Sequence, residues 1–178
     1  ALHANKPYDA FVRDLLTGTG KSDDHPHLYW YREVNKIHDQ VEDVAQLFLG
    51  QRIMCARCHH HPLEKWTQDD YYRWSALFSR IDYKVIKNDR RDDLDKHEFN
   101  GEQLVLVAAK GEVEFPAGGN APPKLLGSST LATADGRQRL AALADWLGRP
   151  GNDLFVRVQA NRIWRQVMGT GIVEPADD

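Results

Sequence analysis

The sequence "WTQDDYYRWSALFSRI" at residues 66–81 contains a strong helix signal, and "CARCHHHP" at 55–62 stands shortly before it. Thr67 is a good helix N-cap residue, and Asp70 three positions later favours a weak form of the capping box. Apolar and aromatic residues then recur at helical spacing. We therefore predict a helix whose buried face contains Tyr71, Trp74, Ser75, Phe78 and Ile81.

Four further helices are predicted on either side of this one. They correspond to residues 6–20, 38–50, 136–150 and 152–171, each with apolar residues at helical spacing. The expected N-caps are Asp39 for the second and Asn152 or Asp153 for the fourth, and glycines 18, 20, 50 and 169 are the expected stop signals. The expected stripe of the 136–150 helix is Leu140, Leu143, Ala144 and Leu147.

The middle of the chain has a different pattern. "QLVLVAAKGEVEF" at 103–115 contains two β-prone runs around "AKG", which predicts a short hairpin. Residues 87–98 mix charges of both signs and are predicted to form a solvated loop. The expected fold is mainly α, a helical domain with a small β-hairpin insertion. The expected domains are a helical unit over 1–115, a Pro/Gly-rich linker over 116–135 and a helical segment over 136–178.

Composition limits the possible functions. The net charge is −3 with interspersed signs, which disfavours nucleic acid as a partner because such partners require a clustered basic face. Apolar runs are all shorter than the roughly 18 residues typical of a membrane helix, so no membrane span is expected. The sequence begins without methionine, and we expect it to be a piece of a longer precursor whose signal peptide is not in this chain.

The two cysteines and the following histidine form a C-x-x-C-H motif. Two thiols at this spacing can bind the vinyl groups of a haem as thioethers, and a histidine directly after them can reach the iron from the same side. Cys55, Cys58 and His59 are therefore candidate haem c residues, with His59 as an axial iron ligand. The expected activity is electron transfer within a larger exported protein rather than catalysis by this chain alone.

Other uses of the motif remain open. Cys55, Cys58 and His61, with a second neighbouring histidine, could bind zinc or non-haem iron in an extracellular polysaccharide-related protein. The two thiols could also form a redox pair, a disulfide or an inert buried pair. Zinc sites usually take their second ligand pair from a distant segment, which favours haem.

Two stretches resemble known families. "FLGQRIMCARCHHHPLEKWTQDDYYRWSALFSR" at 48–80 is similar to the planctomycete cytochrome c domain PSCyt2 (DUF1549), with further similarity in "PYDAFVRDLL". "LADWLGRPGNDLFVRVQANRIWRQVMGTGIVEPADD" at 143–178 resembles the opening of PSD1 (DUF1553), and "APPKLLG" resembles the connector between them. The resemblance implies that the mainly α fold is a helical cytochrome-like domain. It also implies an exported haem protein, periplasmic or extracellular, whose partners are a redox protein or other domains of the same polypeptide.

The resemblance also assigns roles to individual residues. It implies thioether bonds at Cys55 and Cys58 and an iron ligand at His59, and it singles out His61, Pro62, Trp66, Thr67, Asp69 and Asp70. His60 stands where relatives commonly have Asn or Asp, which adds a side chain able to bind a metal.

No second axial ligand is predicted. Most of the remaining histidines, His25, His27, His38 and His97, are expected at the surface, and Met168 on a buried helix face. His61 is expected to point away from the iron of His59 and to donate to a propionate or a carbonyl. Arg162 and Arg165 could pair with haem propionates, although surface or interdomain salt bridges are the expected role.

Overall fold

The computed structural model describes residues 3–89, 101–128, 130–131 and 135–176. Six α-helices and a three-stranded antiparallel sheet are seen in these residues. The helices are α1 (Tyr8–Thr17), α2 (Tyr29–Glu33), α3 (Ile37–Leu49), α4 (Gln68–Ser75), α5 (Gly136–Gly148) and α6 (Asp153–Met168). The strands are β1 (Gly20–Lys21), β2 (Ile81–Asn88) and β3 (Gly101–Val107), and 3₁₀ turns span Pro26–Leu28 and Met54–Arg57.

The main hydrophobic core lies between α1, α3, α4 and α5. Trp74 of α4 is completely buried there, and its ring makes edge contacts with Trp146 and Phe78 at centroid distances of 6.1 and 6.0 Å. Its indole N–H donates to the carbonyl oxygen of Val41 over 3.1 Å, so this polar atom is satisfied inside the core. The predicted stripe of α5 is buried in the same region.

Most predicted helices are confirmed, with one incorrect cap. Helix α4 is shorter than predicted: it ends at Ser75, so that Phe78 lies in the turn after it and Ile81 begins β2. The N-cap of α3 is Lys36, without a side-chain cap bond, and Asp39 lies one turn further on, where its charge suits the helix dipole. Asn152 caps α6, and α3 and α6 end at Gly50 and Gly169 in the left-handed conformation that glycine adopts without strain. The short helix α2 was not predicted.

The predicted hairpin within 103–115 is wrong. β3 pairs with β2 from Ile81↔Val107 to Asn88↔Gly101 and also with β1, so its partners lie earlier in the chain. Beyond β3 the chain turns at Gly111, where an added Cβ would lie 2.6 Å from the carbonyl oxygen of Ser79. This close approach directs 112–115 back past α4 instead of along β3.

The charged segment differs in part from expectation, and the predicted linker contacts the core. Lys87 and Asn88 of the predicted 87–98 loop belong to β2, while residues 90–98 of that loop lie outside the described residues. The described part of 116–135 contains no helix or strand, yet Leu125 and Leu126 are buried in the main core. This segment is therefore packed rather than a free connector.

A buried charge attaches α5 to the end of α4. The Arg139 side chain is only 3% exposed and donates to the carbonyl oxygen of Ala76 over 3.0 Å. It also donates to both carboxylate oxygens of Glu112 over 3.1 and 3.3 Å. A guanidinium removed from water needs such partners, so the 112–115 segment helps to hold the two helices together.

Helix α6 is attached to α3 by both apolar and polar contacts. Phe155 is buried, and its ring lies 6.5 Å from that of Phe48 in α3 and 5.5 Å from that of Tyr8 in α1. Arg162 donates to the carbonyl oxygens of Gln46 and Leu47 in the last turn of α3, where a cation is favoured by the helix dipole. Arg165 Nε lies 3.9 Å from Oε1 of Glu174, so Arg162 has its partners in α3 and Arg165 has one shortly after α6.

Candidate functional site

The cysteines lie on a short turn that is anchored from behind. Ile53 and Ala56 are buried and hold the Met54–Arg57 turn against the core. Cys55 and Cys58 are exposed and form no disulfide. The turn therefore presents both thiols to solvent while its backbone is fixed by the apolar residues between and before them.

His59 is the only one of the three consecutive histidines whose Nδ1 meets an acceptor. This atom lies 2.7 Å from the carbonyl oxygen of His60, and a carbonyl can only accept, so Nδ1 must carry the proton and donate it. The Nε2 atom is then free to offer a lone pair. Metal-binding histidines in proteins usually have this arrangement, in which one ring nitrogen donates to an oxygen and the other binds the metal.

In His60 and His61, by contrast, Nδ1 accepts hydrogen bonds instead of donating one. The Nδ1 atom of His60 accepts from the backbone N–H of Gln68 over 3.1 Å. That of His61 accepts from the backbone N–H groups of Leu63 and Glu64 over 3.3 and 2.9 Å. A neutral imidazole that accepts at Nδ1 is protonated at Nε2, so neither ring offers a second lone pair in this arrangement.

Trp66 holds the histidine loop against the core. Its side chain is 3% exposed, and its indole N–H donates to Oε1 of Gln51 over 2.9 Å. Its backbone carbonyl accepts from the N–H of His61 over 2.8 Å. One buried residue thus connects the loop that follows His59 with the chain that precedes the cysteines.

The predicted capping box of α4 is confirmed. Thr67 Oγ1 accepts from the backbone N–H of Asp70 over 3.1 Å, and Asp70 Oδ2 accepts from the backbone N–H of Thr67 at the same distance. Lys124 donates to Oδ1 of Asp70 over 2.8 Å. Burial would raise the pKa of Asp70, but the hydrogen bonds from Lys124 and Thr67 outweigh it and hold the pKa below its ordinary value. Asp69 forms an ion pair with Arg73, so both carboxylates have structural partners.

Two side chains of α4 that the sequence did not single out hold the motif from the other side. Gln68 Nε2 and the Tyr72 hydroxyl donate to the carbonyl oxygen of Arg57 over 3.1 and 3.4 Å. Arg57 stands between the two cysteines, so α4 fixes the backbone of the motif directly. Helical spacing shows that residues 68 and 72 share a face, but it does not show what that face contacts.

Other candidates from the sequence lie apart from the motif or have other contacts. His25 and His27 flank Pro26, with their rings 5.8 Å apart, and Met168 is exposed on α6, contrary to the buried position expected for it. His97 lies outside the described residues. Trp74 and Phe78 belong to the main core. A group of three or more His, Cys, Asp or Glu side chains arranged to bind a metal is not found in the part of the chain that the structure describes.

The fold and site define a helical domain that presents a C-x-x-C-H motif on its surface. Residues 1–83 match the PSCyt2 family, described as a protein of unknown function (DUF1549), and residues 138–178 match PSD1, described in the same words (DUF1553). These two stretches are therefore similar to the two families, as the resemblance predicted. No curated protein and no solved structure matches the chain. Among the described helices, none has the length and apolar character needed to cross a membrane.

Proposed function

We propose that this chain is a c-type cytochrome module that binds one haem through Cys55, Cys58 and His59. The observation that carries this proposal is the hydrogen bond from His59 Nδ1 to the carbonyl oxygen of His60, which leaves Nε2 free as a ligand. Both thiols are also exposed and unpaired, as attachment requires. The family name PSCyt2 points in the same direction.

The residues present fit a covalently bound haem. Each thiol would add across one vinyl group, so that a sulfur–carbon bond forms and the thiol proton passes to the other vinyl carbon without any net oxidation. When bound, the haem supplies one-electron redox chemistry. Cys55 and Cys58 would hold the porphyrin, and His59 would hold the iron.

The surface beside the motif is apolar enough to support this proposal. Met54 and Leu63, which flank the cysteines and histidines, are 62% and 90% exposed. Large apolar side chains at such exposure are common singly, but here Met54 directly precedes Cys55, and Leu63 follows Cys58 within the same short stretch. A porphyrin held by the two thiols would remove part of this surface from water.

The zinc or non-haem iron alternative fits less well. It needs His61 or His60 as ligands together with the cysteines, yet the Nδ1 atoms of both rings accept backbone hydrogen bonds. Either ring would have to break these bonds or lose its Nε2 proton to bind a metal. Only His59 needs no such change.

Electron exchange with another protein, or with other domains of the same polypeptide, is the role we infer. The chain joins PSCyt2 and PSD1 segments in one polypeptide. Haem attachment takes place outside the cytoplasm in bacteria that use C-x-x-C-H motifs, so an exported location, periplasmic or extracellular, is part of the same proposal.

The test is to export the chain together with a cytochrome c maturation system and to record its intact mass and visible spectrum. A mass gain of one haem and a sharp α-band on reduction are expected, and both should be absent from the Cys55→Ser/Cys58→Ser variant. His59→Ala and His61→Ala form a matched pair, because only the first should change the iron coordination. A colourless protein that binds stoichiometric zinc, and that loses this zinc in His61→Ala, would contradict the proposal and support the alternative.

A further inference from the structure

His38 of α3 has the same ring arrangement as His59. Its Nδ1 lies 3.2 Å from the Tyr71 hydroxyl, and the two rings are stacked with centroids 6.3 Å apart. The hydroxyl donates its single proton to Oε1 of Glu42 over 2.8 Å. His38 Nδ1 must therefore be the donor towards Tyr71, which leaves a lone pair on Nε2.

The position of His38 connects it with the cysteine motif. The ring of Tyr71 contacts that of Tyr72 edge-on at 5.7 Å, and the Tyr72 hydroxyl donates to the carbonyl oxygen of Arg57, between the two cysteines. His38 is only half-buried, so its ring is accessible from solvent. This series of contacts, from His38 through two tyrosines, thus ends at the backbone that carries the two thiols.

The surroundings also favour a neutral His38 ring. Burial lowers the pKa of His38, and the Arg57 guanidinium lowers it further, against the opposing effects of Glu42 and Asp39. A histidine must be neutral to bind a metal, and the bond to Tyr71 fixes which nitrogen is available.

We propose that His38 is the second axial ligand of the haem iron, and that Tyr71 and Glu42 are its positioning residues. This inference rests on the proposed function, because it requires a haem held by His59. It predicts an iron with two imidazole ligands, which favours electron transfer over the binding of small molecules. Among the described histidines that make ring hydrogen bonds, His38 and His59 are the two that donate from Nδ1.

The experiment uses the full chain with haem attached by the maturation system, in the ferric state. Electron paramagnetic resonance and the visible spectrum are expected to show a low-spin, six-coordinate iron in the wild type. His38→Ala should keep the covalent haem, measured by intact mass, but become high-spin. His25→Ala is the control, since it removes an exposed histidine that has no part in the proposal, and it should stay low-spin.

Two further measurements guard against a variant that has simply lost its fold. In the open form of the wild type, His38 has left the iron. If at most a tenth of the wild type is in this form, external imidazole should bind His38→Ala at least about tenfold more tightly than the wild type, because it no longer competes with a protein ligand. Tyr71→Phe keeps the ring but removes the acceptor for His38 Nδ1, and it should raise the high-spin fraction without reducing haem attachment. Circular dichroism of each variant reports whether α3 and α4 are retained.

The outcomes separate the two proposals. Covalent haem with a low-spin spectrum unchanged in His38→Ala, or a wild type that is already high-spin, would overturn the assignment of His38 alone. A wild type without covalent haem would overturn the proposed function and the assignment together.

Discussion

Replacement of Trp66 by phenylalanine tests whether this residue holds the histidine loop in place. The change keeps an aromatic ring at a position that is 3% exposed but removes the indole N–H that donates to Gln51 over 2.9 Å. The backbone carbonyl that accepts from His61 is kept. The variant therefore alters the side-chain anchor of the loop while leaving the backbone contact possible.

The expected loss of stability follows from two contributions. Two buried carbon atoms are lost, at about 0.8 kcal/mol for each methylene-sized group. The lost hydrogen bond contributes about 0.5–1.5 kcal/mol. Together, these two contributions should lower the free energy of unfolding by about 2–3 kcal/mol.

Urea unfolding of the protein without haem, followed by circular dichroism, measures this difference. Trp164→Phe is the matched control, because Trp164 is 44% exposed on α6, and its effect should stay within about 0.5 kcal/mol. Equal small effects of both substitutions would refute the argument that Trp66 anchors the loop. A large effect of Trp164→Phe would show that α6 contributes more to stability than its exposure indicates.

Three further predictions concern charge and the thiols. Asp70→Asn should destabilise the protein by about 1 kcal/mol at pH 7, measured by urea unfolding. Because the folded-state pKa of Asp70 is lowered, its contribution is present above its ordinary pKa of about 3.9 and disappears as the pH falls through the folded value, so the difference should shrink at pH 3. Glu112→Gln should cost about 1–3 kcal/mol in the same assay, because the buried Arg139 loses its charged partner; an unchanged midpoint would contradict this role. Cys55→Ser/Cys58→Ser should keep the native circular dichroism spectrum and lie within about 0.5 kcal/mol of the wild type without haem, since both thiols are exposed; unfolding of this variant would instead indicate a fold that depends on a metal.

The helices were readable from the sequence where the signals are local. Thr67 and Asp70 lie three residues apart, and their capping box forms within one turn of helix. Gly50 and Gly169 end their helices through their own backbone conformation. Asp39 shows the limit of such signals, because a residue suited to the cap can equally well serve in the first turn.

The sheet could not be predicted in the same way because its pairing is not local. β3 has a choice between the nearby segment 111–115 and the more distant β2, and the sequence alone favours the nearer one. The structure selects β2, while the contact of Gly111 with Ser79 turns the nearer segment away. Strand pairing of this kind depends on the packing of α4 and the sheet together, which periodicity does not contain.

The candidate site also has features that local sequence predicts and features that depend on tertiary contacts. The spacing of Cys55, Cys58 and His59 is a local pattern and identified the candidate haem residues, a prediction that the experiments above test. The proton positions of the three histidines depend instead on which backbone groups the 59–68 loop brings to each ring. The sequence singles out His59 by its spacing from the cysteines, but only the loop conformation shows which ring nitrogen of each of the three histidines carries the proton.

The burial pattern around the motif explains how one surface can be both fixed and reactive. Ile53, Ala56 and Trp66 are buried on the core side, whereas Cys55 and Cys58 face solvent from the same stretch of chain. The free energy that shapes the site therefore comes from apolar burial and backbone hydrogen bonds, not from the thiols themselves. A group bound by the thiols contacts a surface that is already held in position, so its attachment requires little further ordering of the protein. Preorganisation of this kind suits an electron carrier, because a site that changes little between oxidation states loses little energy to rearrangement.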